Sequence, residues 1–310
     1  MAWPGSAVGC RHAPWCAVLD ALLSLTRTIP LGLAWRLGEL LGDAVGCLPL
    51  RDVKRCRTHL AKAFPDRDAA WVDRTTRACF RHFGATALWT LASLRRTPAE
   101  LRRGIAVEGA EHIRTLWAAC RRGEGTVVYT GHLGNWELLS RTFATVVPSC
   151  VIGRKLRSPM ADAVVRQMRA QGGAKVIDQD ADVRIIVREL RAGRVVATLA
   201  DQDVPHLNGV FVPWFGDLAW TPSAPAALAL LSRAAVMHVF LLRRHGRWVV
   251  HAGPRVRFPK GATREDDMLA ITAWATAYQE RLVAEQPQQW VWWHKRWRTR
   301  PVFNASAPTG

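Results

Sequence analysis

Tyrosine is almost missing from this 310-residue chain: two stand against 15 tryptophans. An aromatic budget that skewed favours surfaces where an apolar ring meets water and its N–H finds a partner, as at a lipid headgroup boundary. Acidic residues are also short, 25 against 43 Lys plus Arg, and the formal charge of +18 draws the protein toward anionic partners. Cysteine is present seven times but never as CxxC and never beside clustered histidines. That excludes a sequence-evident zinc site, and the odd number argues against a secreted disulfide framework. The cysteines read as reduced thiols in a cytosolic setting. A long uncharged apolar run is the last absence. Cys16 to Leu50 is rich in Leu, Ala and Val, yet Asp20, Arg27, Arg36, Glu39 and Asp43 interrupt it and Pro30 breaks it. No stretch reaches the roughly 18–20 residues of a bilayer span. Two helices lying in the membrane interface fit, as does a hydrophobic hairpin packed on the main domain; a buried helical pair is the ordinary alternative.

Hydrophobic residues make up 49% of the chain, enough for a sizeable core. Residues 51–104 place Arg and Lys among apolar positions at helical spacing, with breaks at Pro65 and Pro98, so the first third reads as helical. From residue 105 short β-branched runs alternate with amphipathic stretches. Strands are expected at 126–130, 149–153, 174–177, 195–200, 236–242 and 247–252, and helices at 135–146, 159–171, 182–192, 222–232 and 266–285. The expected fold is α/β, a mixed sheet flanked by helices, with ligands beyond the carboxyl ends of strands. The chain divides into an N-terminal helical membrane-interface region (1–104), an α/β domain (105–303) and a disordered tail (304–310).

The sharpest local feature is Thr130-Gly131-His132-Leu133-Gly134-Asn135-Trp136-Glu137-Leu138, directly after a strand. Residues five apart on one helix lie about 140° apart, so His132 and Glu137 share a site only if the segment turns. Gly131 and Gly134 permit the turn and Asn135 is placed to cap the helix that follows. Glu137 then falls in the first turn and is expected to fold back on the imidazole. A carboxylate on one ring nitrogen fixes the tautomer and raises the basicity of the other, which can deprotonate an alcohol. The helix N-terminus would meet a developing oxyanion. A capping Glu beside a structural His is the competing reading. The segment holds no Ser or Cys nucleophile, so no covalent enzyme intermediate is expected; Thr130 reads as strand end.

This block resembles the HxxxxD/E block of the glycerolipid acyltransferase superfamily, and its GHLGNWEL form is most similar to the bacterial lipid A biosynthesis (lauroyl/myristoyl) acyltransferases. Residues 153–162 (GRKLRSPMAD) resemble a second block, lacking its usual Tyr and Pro. Residues 200–203 (ADQD), 209–216 (GVFVPWFG) and 219–229 (AWTPSAPAALA) resemble a third, with Ala224-Pro225 where Gly-Pro is common, and 287–298 (PQQWVWWHKRWR) resemble the family's ending. The resemblance covers about residues 15–300. It implies His132 as general base with Glu137 as partner, and Arg154 and Arg169 near the acceptor, where a guanidinium binds phosphate or developing charge. Gly131, Gly134 and Asn135 would border the substrate. Asp201 and Asp203 would share one side of an extended chain. Their spacing suits positioning of an Arg or an acceptor group better than a metal, since acyl transfer from a thioester needs none. No cofactor is expected.

The implied reaction moves an acyl group from a thioester on acyl carrier protein, or on coenzyme A, to a hydroxyl of a lipid A precursor at the cytoplasmic face of a bacterial inner membrane. Acylation of another glycolipid, a lysophospholipid or a polyene lipid is the alternative within this chemistry. A non-enzymatic basic protein binding membrane or nucleic acid is the alternative outside it. The tail run Trp290–Arg298, indoles interleaved with cations, reads as a headgroup-level anchor rather than a single-strand nucleic-acid platform; a packed structural segment is the third option.

Overall fold

The computed structural model describes residues 28–153 and 159–301. Four helices lead: α1 (Leu31–Cys47), α2 (Arg51–Ala63), α3 (Ala69–Ala92) and the short α4 (Pro98–Arg103). Local chemistry sets their starts. The Asp68 side chain accepts from Trp71 N, and Thr97 and Glu100 form a reciprocal capping box with Pro98 in the first turn. Helix α1 meets α3 through its smallest residues. Ala34, Gly38, Gly42 and Gly46 are buried, and a Cβ on Gly42 would overlap the carbonyl of Phe80. The face so made leaves the leucines of α1 outside.

Strand β1 (Ile105–Glu108) and helix α5 (Ala110–Arg121) follow, then β2 (Thr126–Thr130), α6 (Trp136–Phe143), β3 (Ser149–Gly153), α7 (Pro159–Gln171), β4 (Lys175–Asp178), α8 (Val183–Arg191) and β5 (Val195–Leu199). A hairpin, β6 (Gly209–Trp214) and β7 (Asp217–Pro222), precedes α9 (Ala224–Ser232), β8 (Ala235–Arg244), β9 (Arg247–Ala252) and α10 (Arg264–Glu285). The main sheet has the order β1-β9-β8-β2-β5-β3-β4, parallel except for the antiparallel pair β8 and β9. That pair turns on His245 and Gly246, both at positive φ, the geometry of a tight I′ hairpin. Every residue of the central β2 is buried, as a parallel strand covered on both faces requires.

The mixed sheet flanked by helices is therefore as expected, and six strands fall where the β-branched runs place them. Strand β1, helix α5 and the separate β6–β7 hairpin are additions. The Trp-rich C-terminal run differs from its reading as a headgroup anchor. Trp290, Trp292 and Trp297 are buried, in one cluster with Cys56, Leu60 and Cys79 of the leading helices and Phe240 of the sheet. Burial of these rings far outweighs interfacial exposure, at about 25 cal/mol per Å² of apolar surface. Among the described residues no helix is long and apolar enough to cross a membrane.

Candidate active site

The strands β2 and β5 run side by side and end together, Thr130 paired with Leu199. The two loops that leave them carry the site. After β2, Gly134 N donates to Gln289 O at 2.8 Å, Asn135 N to Leu241 O at 2.9 Å, and Val291 N to His132 O at 3.2 Å. The loop is thus pinned between β8 and the C-terminal segment. Gly134 lies at φ 67 with the Leu241 carbonyl where a Cβ would stand. A side chain on Gly131 would fall 2.7 Å from Asp201 Oδ2. Asn135 caps α6, its Oδ1 accepting from Leu138 N at 2.9 Å while its Nδ2 donates to Thr90 Oγ1 at 3.0 Å. These three residues shape the loop, as the sequence suggests. Their expected place beside the substrate does not follow, because none of them lines the cavity described below.

His132 sits in this loop with its Nδ1 2.8 Å from Asp201 Oδ1 and its backbone N donating to Asp201 Oδ2 at 2.7 Å. Asp201 is buried and accepts twice more on Oδ2, from Trp290 Nε1 at 2.9 Å and Gln279 Nε2 at 3.0 Å. Burial is the largest single influence on its carboxyl and pushes it up. The charge and hydrogen bond of His132, then His294 and the Trp290 indole, outweigh burial and leave it well below the ordinary carboxylate value. An ionised Asp201 places the proton on Nδ1 and leaves Nε2 as the basic nitrogen.

The expected bond between Glu137 and the imidazole is replaced by this one. Glu137 instead takes a two-pronged ion pair from Arg169, with Nη2 to Oε1 at 2.7 Å and Nε to Oε2 at 3.1 Å. The guanidinium fork matches both carboxylate oxygens, so it holds Glu137 away from the ring, and the aspartate on the adjacent strand end supplies the imidazole's partner. Asp203 also departs from its reading. Its oxygens accept from Thr299 N at 2.6 Å and Thr299 Oγ1 at 2.8 Å, so it fastens the C-terminal segment rather than the site. Arg154 lies outside the described residues.

Four residues enter the site without having been singled out. Trp136 packs edge-on against His132 with ring centroids 4.9 Å apart, and His294 does so at 4.8 Å. Gln202 Nε2 lies 3.1 Å from both His132 Nε2 and His294 Nε2. Burial first, then the charge of His132, lowers His294 to about 4, so it is neutral at neutral pH. Trp290 carries the fourth contact, to Asp201. The signal for His294 and Trp290 lay in the C-terminal block, where the run of indoles hid one ring aimed at the site.

A cavity of about 450 Å³ opens from this cluster. Its lining joins polar side chains, among them His132, Glu137, Asp162, Arg166, Arg169 and Gln202, to apolar ones that include Ile152, Val165, Leu199, Leu207, Pro225 and Leu228. Polar and apolar side chains lining one cavity suit a ligand with a reactive head and a hydrocarbon tail. Among the described residues no group of three or more His, Cys, Asp or Glu could hold a metal ion.

A parallel-sheet scaffold with its cavity at the strand carboxyl ends defines an α/β enzyme architecture. Residues 13–299 match the family model of the bacterial lipid A biosynthesis acyltransferases, and the chain belongs to that family. It is 26% identical over 287 residues to the lipid A biosynthesis lauroyltransferase of Escherichia coli K12, covering 87% of this chain and 90% of the relative. It is 24% identical over 272 residues to that organism's lipid A biosynthesis palmitoleoyltransferase, with 86% of each covered. The phosphatidylinositol mannoside acyltransferase of Mycolicibacterium smegmatis is 25% identical over 187 residues, 59% of this chain and 60% of the relative. The protein is an acyltransferase.

Proposed function

We propose that this enzyme transfers a fatty acyl group from an acyl thioester, with acyl carrier protein as donor, to a hydroxyl of a lipid A precursor at the cytoplasmic face of the inner membrane. The observation that carries the reading is the His132–Asp201 pair, whose His132 lines a cavity of mixed polar and apolar surface. The acceptor hydroxyl gives its proton to His132 Nε2 as its oxygen attacks the thioester carbonyl. The tetrahedral intermediate collapses, the C–S bond breaks, and the thiolate takes the proton back from the imidazolium. Asp201 holds the ring and offsets the imidazolium charge. Two helix-end donors are engaged: the N–H of Leu138 by the Asn135 side chain, and that of Asn135 by the Leu241 carbonyl. Trp136 and Glu137, the first two residues of α6 and both on the cavity, are left to meet the oxyanion. Arg169 and Glu137 together border the acceptor, and Arg154 is assigned there by resemblance.

Three features support the wider setting. The two Escherichia coli relatives are lipid A biosynthesis acyltransferases by name. The charge of +18 suits an acidic carrier protein and an anionic bilayer. Helix α1 presents Leu33, Leu37, Leu40, Leu41 and Val45 to the outside, Leu40 at 69% exposed, which supports the reading of the N-terminal region as the place of membrane attachment. The mannoside acyltransferase relative favours one second reading, another glycolipid as acceptor. Purified enzyme given acyl carrier protein thioester and a lipid A precursor should yield the acylated lipid by mass spectrometry. His132→Ala should lower turnover by ~10²–10⁴ with the fold intact. Wild-type turnover in a folded His132→Ala protein would sink the mechanism, and product formed only with a mannosylated lipid would move the acceptor.

A further inference from the structure

The sheet has a second cavity at the end remote from His132. Strand β8 begins at Ala235, level with Thr126 at the start of β2, whereas the catalytic loop leaves β2 at its other end, Thr130. Beside the start of β8 lies a cavity of about 420 Å³, between the C-terminal half of α9, residues 256–262 and the first turns of α10. Ala229, Val236 and Ile271 form its floor and belong to the buried core; Phe258 is part of its wall, packed edge-on against Trp274 at 5.5 Å.

Its rim is cationic. Arg233, Arg257, Lys260 and Arg264 surround it against one carboxylate, Asp267, whose Oδ1 is occupied by Gly261 N at 2.7 Å. Arg257 is engaged too, donating to Arg233 O at 2.8 Å and to Glu124 at 3.2 Å. Among the described residues Arg233, Lys260 and Arg264 take part in no ion pair. An uncharged apolar ligand would leave this positive potential unanswered, and a small anion would leave the apolar floor wet. A ligand with a hydrocarbon chain and one anionic head satisfies both.

We propose that this cavity binds a single-chain anionic amphiphile, its alkyl chain against Ala229, Val236, Phe258 and Ile271 and its carboxylate or phosphate among Arg233, Lys260 and Arg264. The site is separate from the catalytic cavity but shares a wall with it. Pro225 and Leu228 of α9 face the first cavity, and Ala229 and Leu230, one step on, face the second.

The test is hydrogen exchange on the full chain with dodecyl phosphate and laurate below their micelle concentrations and dodecanol below its solubility limit. Dodecyl phosphate should protect residues 256–264 and the C-terminal half of α9. Replacing Arg233, Lys260 and Arg264 together by Gln should weaken that protection at least tenfold in ligand concentration, while any response at residues 131–138, from ligand in the catalytic cavity, stays as in wild type. Lys260→Glu alone, a single exposed change, should weaken it in the same direction if the triple variant folds poorly. Equal protection by laurate makes a fatty carboxylate a sufficient head; protection by dodecyl phosphate alone assigns the site to phosphate-bearing lipids. Absence of protection at 256–264 with both anions overturns the proposal, as does equal protection by dodecanol.

Discussion

Asp201 and His132 are 69 residues apart in the chain and 2.8 Å apart in the fold, and the aspartate also receives the histidine's own backbone N–H. One carboxylate therefore fixes both the ring and the loop that carries it. Asp201→Asn keeps the shape but offers one acceptor oxygen where four donors converge. Turnover should fall on the order of 10²-fold or more, as expected when a general base loses its orienting anion. Stability should fall by about 1–3 kcal/mol from donors left unpaired. Transfer assays and thermal melts read the two effects separately; unchanged turnover would remove Asp201 from the mechanism.

Glu137 and Arg169 form a half-buried pair on the cavity wall, so each should matter mainly through the other. Glu137→Gln and Arg169→Met should each lower kcat/KM, and the double variant should lose less than the product of the two. A double-mutant cycle should show about 0.5–3 kcal/mol of coupling. Strict additivity would mean that Glu137 acts independently of Arg169.

Three histidines, His82 and His238 buried and His294 half-buried, are held neutral. Burial, the largest cause in each case, lowers His82 and His238 to about 3 and His294 to about 4, from an ordinary 6.5. In the unfolded chain they take up protons near pH 6.5, while the native state resists. Their contribution is complete above about pH 6.5 and is lost as pH falls toward 3–4, by as much as about 1.4 kcal/mol per unit for each histidine. Urea midpoints should decline across that window. His238→Phe, which preserves the ring stacked on Tyr278 at 4.0 Å, should flatten the decline. An identical slope would show that His238 does not resist protonation.

The leucines on the outer face of α1 make no part of the buried core. Changing Leu37, Leu40 and Leu41 to Gln should weaken sedimentation with anionic vesicles at least severalfold and leave the melting temperature nearly unchanged. Gly42→Val should do the reverse of the second outcome, lowering the melting temperature because the added side chain meets the α3 backbone. Full vesicle binding by the glutamine variant would separate α1 from the membrane.

Donor choice should be visible in salt. Encounter of a basic enzyme with acyl carrier protein involves many charges, screened over about 8 Å at physiological ionic strength, while coenzyme A presents few. The kcat/KM for the carrier protein thioester should fall more steeply between low and moderate salt than that for the coenzyme A thioester of the same chain. A flat response would favour coenzyme A.

Much of this architecture is legible in the sequence because parallel strands buried on both faces read as continuous β-branched runs, such as Thr126 to Thr130. Strand β1 escapes because it is four residues at a sheet edge with only partial burial. The β6–β7 hairpin turns through Phe215 and Gly216, at φ 47 and φ 74, and only the glycine of the two gives a turn signal. At the site, spacing identified the loop and its histidine but not the partner. Distance along the chain placed Glu137 nearest; the parallel pairing of β2 with β5 brought Asp201 closer.

Trp290 has a consequence for the order in which the protein is made. Its indole holds Asp201, and its carbonyl accepts from Cys79 of α3, 211 residues earlier. A nascent chain still short of residue 290 has synthesised both the base and its aspartate, yet has neither the ring that steadies them nor the indoles that close the core over α2 and α3. The site is therefore complete only once residue 290 has left the ribosome, and the leading helices wait through the 211 residues between Cys79 and Trp290 for the partners that bury them.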